Sequence, residues 1–351
     1  MIISRTPFRI SFFGGGTDYP GWYSRHGGAV LATTIDKYCY ITCRYLPPFF
    51  EHRISINYSK IEHCQTIDEI AHPAVRETLR YLDIRRGVEI HHDGDIPARS
   101  GVGSSSAFTV GLLNALYALT GRMASKHQLA TESVHLEQDI MKETVGSQDQ
   151  VLAAYGGLNY IRFDPSGEIS VTPLTVGADR IKELGSHLML LYTGIQRTAS
   201  NIADSFVNGI EDRRRQLRIM KDLVAESISI VSSGQDILDF GELLHEAWLA
   251  KRSLSATISN SYVDELYEAA RAAGAIGGKL IGAGGGGFLL LFVPPSKQRN
   301  VRERLNALIH VPFKFEFSGS QIIFCDREKD YAVEEQARVA QPIQAFRELS
   351  R

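Results

Sequence analysis

The chain reads as an α+β protein. Its first 95 or so residues are rich in strand-like alternation, a glycine loop then opens onto a long apolar helix, and the strands and helices beyond mix without regular βα alternation. At 351 residues there is room for two domains and more than one core. Apolar residues make up 44% and charged residues 22%, an ordinary globular balance, and a net charge of −2 gives no support to a nucleic-acid partner. Cys39, Cys43, Cys64 and Cys325 lack metal-ligand spacing and suit a reducing compartment. Met1–Pro7 enters a strand without an apolar leader, and the longest strongly apolar run, Phe288 to Val293, is far too short to cross a bilayer. A cytoplasmic chain without membrane contact is expected.

In order along the chain, alternation predicts strands at 29–35 and 38–43, the second carrying Cys39 and Cys43 on one face. A helical segment near 67–82 and a strand at 87–91 follow. The apolar run Phe108 to Leu119 is a helix ended by Gly121, and Ser125 with Gln128 is a capping box opening a helix to about Lys142. Gly156-Gly157 and Asp164–Gly167 are turns around another strand. The stretch Gly177 to Gly185 is the expected domain boundary, followed by a strand at 188–192. Helices are predicted from about 199 to 232, 236 to 253 and 262 to 273. The loop Gly282–Gly287, the strand 288–293, a helix at 296–308, a strand pair and a charged helical tail complete the chain.

Three glycine segments carry the chemistry. Pro97–Ala107 (Pro-Ala-Arg-Ser-Gly-Val-Gly-Ser-Ser-Ser-Ala) can fold with its N–H groups turned inward beneath the positive end of the helix that follows, a phosphate cradle to which Ser104, Ser105 and Ser106 add donors or a metal ligand. It lacks the Lys-Ser/Thr ending of a Walker loop, and a plain turn before a buried helix is the lesser reading of the same glycines. Gly282-x-Gly284-x-x-Gly287 matches a dinucleotide fingerprint formally, yet a strand follows where that fingerprint needs a helix, so it reads as a loop whose backbone approaches a ligand or as a tight connection. In Arg5–Tyr19, Arg9 is flanked by apolar residues, and a buried Arg needs an anion, from substrate or from a structural ion pair. Asp18, after three glycines, suits sugar hydroxyls or a turn. Glu137 on a helix and Asp149 past its end could share a cleft as metal ligand and proton acceptor, the two acidic roles of phosphoryl transfer. His91 and His92 point to opposite faces of a strand and are not a metal pair.

Taken in order, Thr6–Arg9 with Gly14–Asp18, Pro97–Ala107, and Lys279–Gly287 resemble three motifs of the GHMP kinases, across essentially the whole chain. The resemblance implies a ribosomal-protein-S5-like N-terminal domain (1–182), a ferredoxin-like C-terminal domain (183–351) and an active site between them. It implies ATP held by Pro97, Arg99, Ser100, Gly101, Val102, Gly103, Ser104, Ser105, Ser106 and Ala107, and Mg²⁺ held by Ser105 and Glu137. Asp149 matches the catalytic base and Arg9 the basic residue beside the reacting hydroxyl. Gly15, Gly16, Thr17, Asp18, Gly284 and Gly285 would face the acceptor. Gly15-Gly16 replace the Glu-His of galactokinase, which leaves room for a larger or phosphorylated sugar. Within the family, the N-terminal run and Tyr192–Arg197 are most similar to kinases that phosphorylate a heptose 7-phosphate at its anomeric oxygen, a product suited to nucleotide-heptose synthesis. The implied partner is thus a small phosphosugar, with a homodimer left open. Arg197 is the first candidate for its phosphate, ahead of Lys37, Arg25 and Arg44.

Overall fold

Two long strands organise the first half of the protein. Ile2–Phe13 (β1) and Gly28–Tyr45 (β2) pair antiparallel from Ile2 opposite Cys43 to Phe13 opposite Leu31. The computed structural model describes residues 1–98, 100–195, 209–326 and 331–340. Around β1 and β2 lie Ile54–Asn57 (β3), Ile61–Cys64 (β4), Val88–Gly94 (β5), Leu158–Phe163 (β6) and Ile169–Pro173 (β7). β5 and β6 both pair with β2, at opposite ends, and β3 runs parallel to β5. The helix Ser104–Leu119 is buried along almost its whole length against β1 and β2, which explains why it is apolar all round. Cys39 and Cys43 are both fully buried, as their spacing predicts.

The second sheet contains Leu188–Tyr192 (β8), Gly277–Leu280 (β9), Phe288–Phe292 (β10) and Ile309–His310 (β11), all antiparallel. Its spatial order, β11-β8-β10-β9, is fourth-first-third-second in sequence, the ferredoxin-like arrangement. The helices Arg214–Ser232 and Leu238–Arg252 pack together, the first against β1 and β2 and the second against β9. Among the described residues no helix is long and apolar enough to cross a membrane.

Two expectations about organisation change. The predicted boundary at Gly177–Gly185 is a helix, Ala178–Ser186, held by buried Leu184 and by Arg180, which donates to the Ile230 carbonyl at 2.7 Å. The chain beyond 183 also does not stay in the second sheet. Phe315–Glu316 (β12) and Gln321–Cys325 (β13) return to pair with β2 and β1, so a division into 1–182 and 183–351 cuts the first sheet. Such long-range pairing leaves no periodicity at the point of division. The expected helix 296–308 is shorter, Gln298–Arg304 after one 3₁₀ turn.

Candidate active site

Where β1 ends, three loops meet. Arg9 is 5% exposed, and its guanidinium grips Asp149 through both oxygens, Nε to Oδ1 and Nη2 to Oδ2, each 2.7 Å. Its third nitrogen, Nη1, donates to the Gly101 carbonyl, and its backbone N–H donates to the Val102 carbonyl at 3.0 Å. The anion that a buried Arg requires is therefore Asp149, in the first turn of the helix Gln148–Tyr155, and the pair is tied directly to the glycine-serine loop.

That loop opens onto the 16-residue helix Ser104–Leu119, whose N-terminal end carries the positive pole. Gly103 caps it in a left-handed conformation (φ 74°), and a Cβ there would stand 3.1 Å from Arg9 Cγ and 3.3 Å from an Asp149 oxygen. Ser100 and Val102 are fully buried; Ser100 Oγ closes the turn on the Pro97 carbonyl at 2.7 Å, and Pro97 itself is exposed. Gly101 and Ser104 line the half-exposed mouth, and the Ala107 N–H completes the first helical turn on the Gly103 carbonyl. Arg99 and Arg197 lie outside the described residues.

The serine that meets Glu137 is Ser106, not Ser105. Ser106 Oγ donates to Glu137 Oε2 at 2.9 Å, whereas Ser105 is exposed. Helix phase decides this: neighbouring residues point about 100° apart, and the register depends on where the cap falls. Glu137 is fully buried on a single π-helical turn, Leu136–Ile140, and also accepts from Gln150 Nε2. Burial pushes its carboxyl up to about 7. Its Oε1 has no hydrogen-bond partner, and an orphaned carboxylate oxygen beside a loop hydroxyl is a donor set that fits Mg²⁺.

The Gly14–Asp18 loop departs from expectation at two residues. Asp18 is 1% exposed, with Oδ1 on the Gly16 N–H (2.8 Å) and Oδ2 on the Gln148 N–H (3.3 Å). Burial, and then the negative charge of Asp149, raise its pKa. Asp18 thus holds the Gly14–Asp18 loop against the helix that carries Asp149, with both carboxylate oxygens engaged by backbone N–H groups. Thr17 is fully buried, its hydroxyl against the Gly14 and Ala29 carbonyls, so it too shapes the loop from inside. Gly15 and Gly16 remain half-exposed at the surface of the site. Gly284 and Gly285 are buried against Ile258, the Gly285 N–H donating to its carbonyl at 2.8 Å, and that loop reaches the glycine-serine loop at both ends, Ile281-Gly282 against Gly101 and Gly287 against Ser100.

Two buried cations went unassigned by sequence. Lys251 Nζ donates to the Leu280 and Gly282 carbonyls at 2.9 and 2.6 Å, and Lys279 Nζ donates to the Phe12 carbonyl at 2.8 Å. Burial lowers Lys251 to about 7 and Lys279 well below the usual lysine range, with Arg9 adding to both. Lys251 falls within a predicted helix and Lys279 opens the third motif, and neither was given a role from sequence. Of the reserve cations, Arg44 is paired with Glu89 and Lys37 with Asp36, while exposed Arg25 reaches Glu211 at 3.1 Å. Among the described residues no group of three or more His, Cys, Asp or Glu gathers as a metal site; His91 lies on Glu89 at 3.2 Å and His92 packs edge-on against Phe108.

The GHMP kinases N terminal domain matches residues 69–157 and the GHMP kinases C terminal domain residues 219–310. A D-glycero-alpha-D-manno-heptose 7-phosphate kinase of Campylobacter jejuni is 26% identical over 315 residues, 87% of this chain and 93% of that protein. The bifunctional fucokinase/GDP-fucose pyrophosphorylase of Arabidopsis thaliana is 28% identical over 327 residues, 85% of this chain but 30% of that protein. The crystal structure of a D-glycero-D-manno-heptose 1-phosphate kinase from Bacteroides thetaiotaomicron superposes with a TM-score of 0.76 at 23% identity, over 93% of this chain and 100% of that one.

Proposed function

Because the chain belongs to the GHMP kinase family, and is therefore an ATP-dependent phosphotransferase, we propose that it moves the ATP γ-phosphoryl group to the anomeric hydroxyl of D-glycero-D-manno-heptose 7-phosphate, giving the 1,7-bisphosphate. The observation that carries the chemistry is the position of Arg9, on both oxygens of Asp149 and on the Gly101 carbonyl at once. That arrangement supports reading Asp149 as the proton acceptor beside the phosphate-binding loop.

Asp149 orients the acceptor hydroxyl and takes its proton as the new O–P bond forms and the bond from the γ-phosphorus to the ADP oxygen breaks. Arg9 holds the Asp149 carboxylate in place through both oxygens and offsets charge on the attacking oxygen. The N–H groups of the loop and the helix end hold the phosphates. Ser106 and Glu137 would hold Mg²⁺, which when bound neutralises charge on the transferring group. In a loose transition state, positioning and electrostatics carry most of the rate.

For the acceptor, support comes from the heptose 7-phosphate kinase relative and from the room left by Gly15-Gly16. The fucokinase relative favours a second reading, an unphosphorylated sugar. A coupled ADP-release assay across heptose 7-phosphate, free heptose, fucose, galactose and mevalonate tests both. The highest kcat/KM is expected on heptose 7-phosphate; a free sugar preferred over its terminal phosphate ester would replace the first reading with the second.

A further inference from the structure

Beside Asp149 lies a group of neutral polar atoms that neither the fold nor the phosphate chemistry uses. Gln148 is 8% exposed, and its Oε1 has no hydrogen-bond partner. Ser11, 5% exposed on β1, likewise has a hydroxyl without one. A buried amide or hydroxyl in this condition costs the desolvation of the group, so folded proteins rarely keep one without a use. The two side chains converge on half-exposed Gly15. The point where a Gly15 Cβ would stand is 3.5 Å from Ser11 Oγ and 3.6 Å from Gln148 Nε2, and apart from Gly15 and its chain neighbours no other atom lies within 4 Å.

We propose that Ser11, Gln148 and the bare face of Gly15 form a subsite that recognises a hydroxyl adjacent to the one being phosphorylated. The inference rests on the kinase reading above and narrows its acceptor to a polyol. Gln148 precedes Asp149 in the chain, and its own N–H is fixed on Asp18, so the carboxamide is anchored next to the proton acceptor. A carboxamide and a hydroxyl each offer both a donor and an acceptor, which matches a neutral hydroxyl. Arg9 is fully engaged by Asp149 and the Gly101 carbonyl, and Lys279 is held on the Phe12 carbonyl, so among the described residues neither of these cations is free to meet a carboxylate-bearing acceptor in this subsite. The absence of a side chain at Gly15 is what gives the neighbouring hydroxyl room.

The test compares steady-state constants and thermal melts of the full chain with those of Gly15→Ala, Gln148→Leu and Ser11→Ala, each assayed with ATP and heptose 7-phosphate. Gln148→Leu should raise the acceptor KM about tenfold or more while the ATP KM stays within twofold, since a site built to bond a hydroxyl loses heavily when one partner goes. Its melting temperature should hold or rise, because a buried unpartnered amide has been removed. Gly15→Ala has an ordinary backbone conformation and contact distances a methyl tolerates, so it folds and still blocks the subsite, raising the acceptor KM in the same way. A 2-deoxy acceptor should cost the wild type severalfold and cost Gln148→Leu almost nothing more, the non-additivity of two halves of one contact. An acceptor KM within twofold of wild type in all three variants overturns the subsite and leaves the kinase reading standing. Parallel rises in the ATP and acceptor KM with a lowered melting temperature reduce these residues to structural ones and overturn it as well. If the wild type ignores heptose 7-phosphate but phosphorylates another sugar, the heptose reading fails and the variants are scored on that sugar. If the sole acceptor is mevalonate, which has no hydroxyl beside the reacting one, the subsite falls; if nothing is phosphorylated, both fall.

Discussion

Arg9 and Asp149 are 140 positions apart, yet their side chains form one bidentate unit. Removing the charge while keeping the shape, Asp149→Asn, should therefore do two things. Turnover in the ADP-release assay should fall at least ~10²-fold, the usual share of a general base. The protein should also lose about 2 kcal/mol in denaturant unfolding, below the ~3–5 of a fully buried broken pair because the Asp149 side chain is 24% exposed. Near-wild-type turnover in a folded variant would remove Asp149 from the mechanism. Both residues were legible in sequence, Arg9 from its apolar flanks and Asp149 from its place after the Glu137 helix, whereas their pairing was not. The choice of Ser106 over Ser105 was equally hidden: three serines in a row are equivalent until the cap at Gly103 fixes the helix phase.

At the level of elements, the helix Leu238–Arg252 joins the two glycine loops through Lys251. Its ammonium holds the Leu280 and Gly282 carbonyls, and Gly282 lies so close to Gly101 that a Cβ on it would come within 2.6 Å of Gly101 Cα. Folding lowers the Lys251 pKa from its ordinary value of 10.5 to about 7, chiefly by burial and then through Arg9. The unfolded chain thus binds more protons between those values, so this group costs stability below pH 7 and the cost fades as pH rises toward 10.5. Lys279 contributes in the same direction. Melting temperatures measured from pH 7 to 9.5 should rise less steeply in Lys251→Met than in wild type, and the variant should be the more stable at pH 7. Parallel pH curves would contradict the shift. Local elements were the most readable part of the chain: the Ser125 cap accepts from the Gln128 N–H as expected, and the apolar helix, the turns and most strands fall where their patterns put them. Short-range periodicity and capping set these, and both are properties of neighbouring residues.

For the whole molecule, the return of β12 and β13 to the first sheet makes the N-terminal half incomplete by itself. Residues 1–182 produced alone should not melt cooperatively by near-UV circular dichroism, since β1 loses its outer neighbour and the helix Arg214–Ser232 no longer covers β1 and β2. A cooperative, soluble 1–182 fragment would restore the simple division at 182. The sequence by itself determined the α+β class, the glycine-serine loop with its helix and the family, and it singled out Arg9, Glu137 and Asp149 as candidates, because these are written in local pattern and residue chemistry. Only the tertiary structure decided that Arg9 closes on Asp149, that Ser106 faces Glu137, that Asp18 and two lysines work from inside the fold, and that the C-terminal strands complete the N-terminal sheet. Those facts depend on burial and on contacts between residues far apart in the chain, which no window of sequence contains.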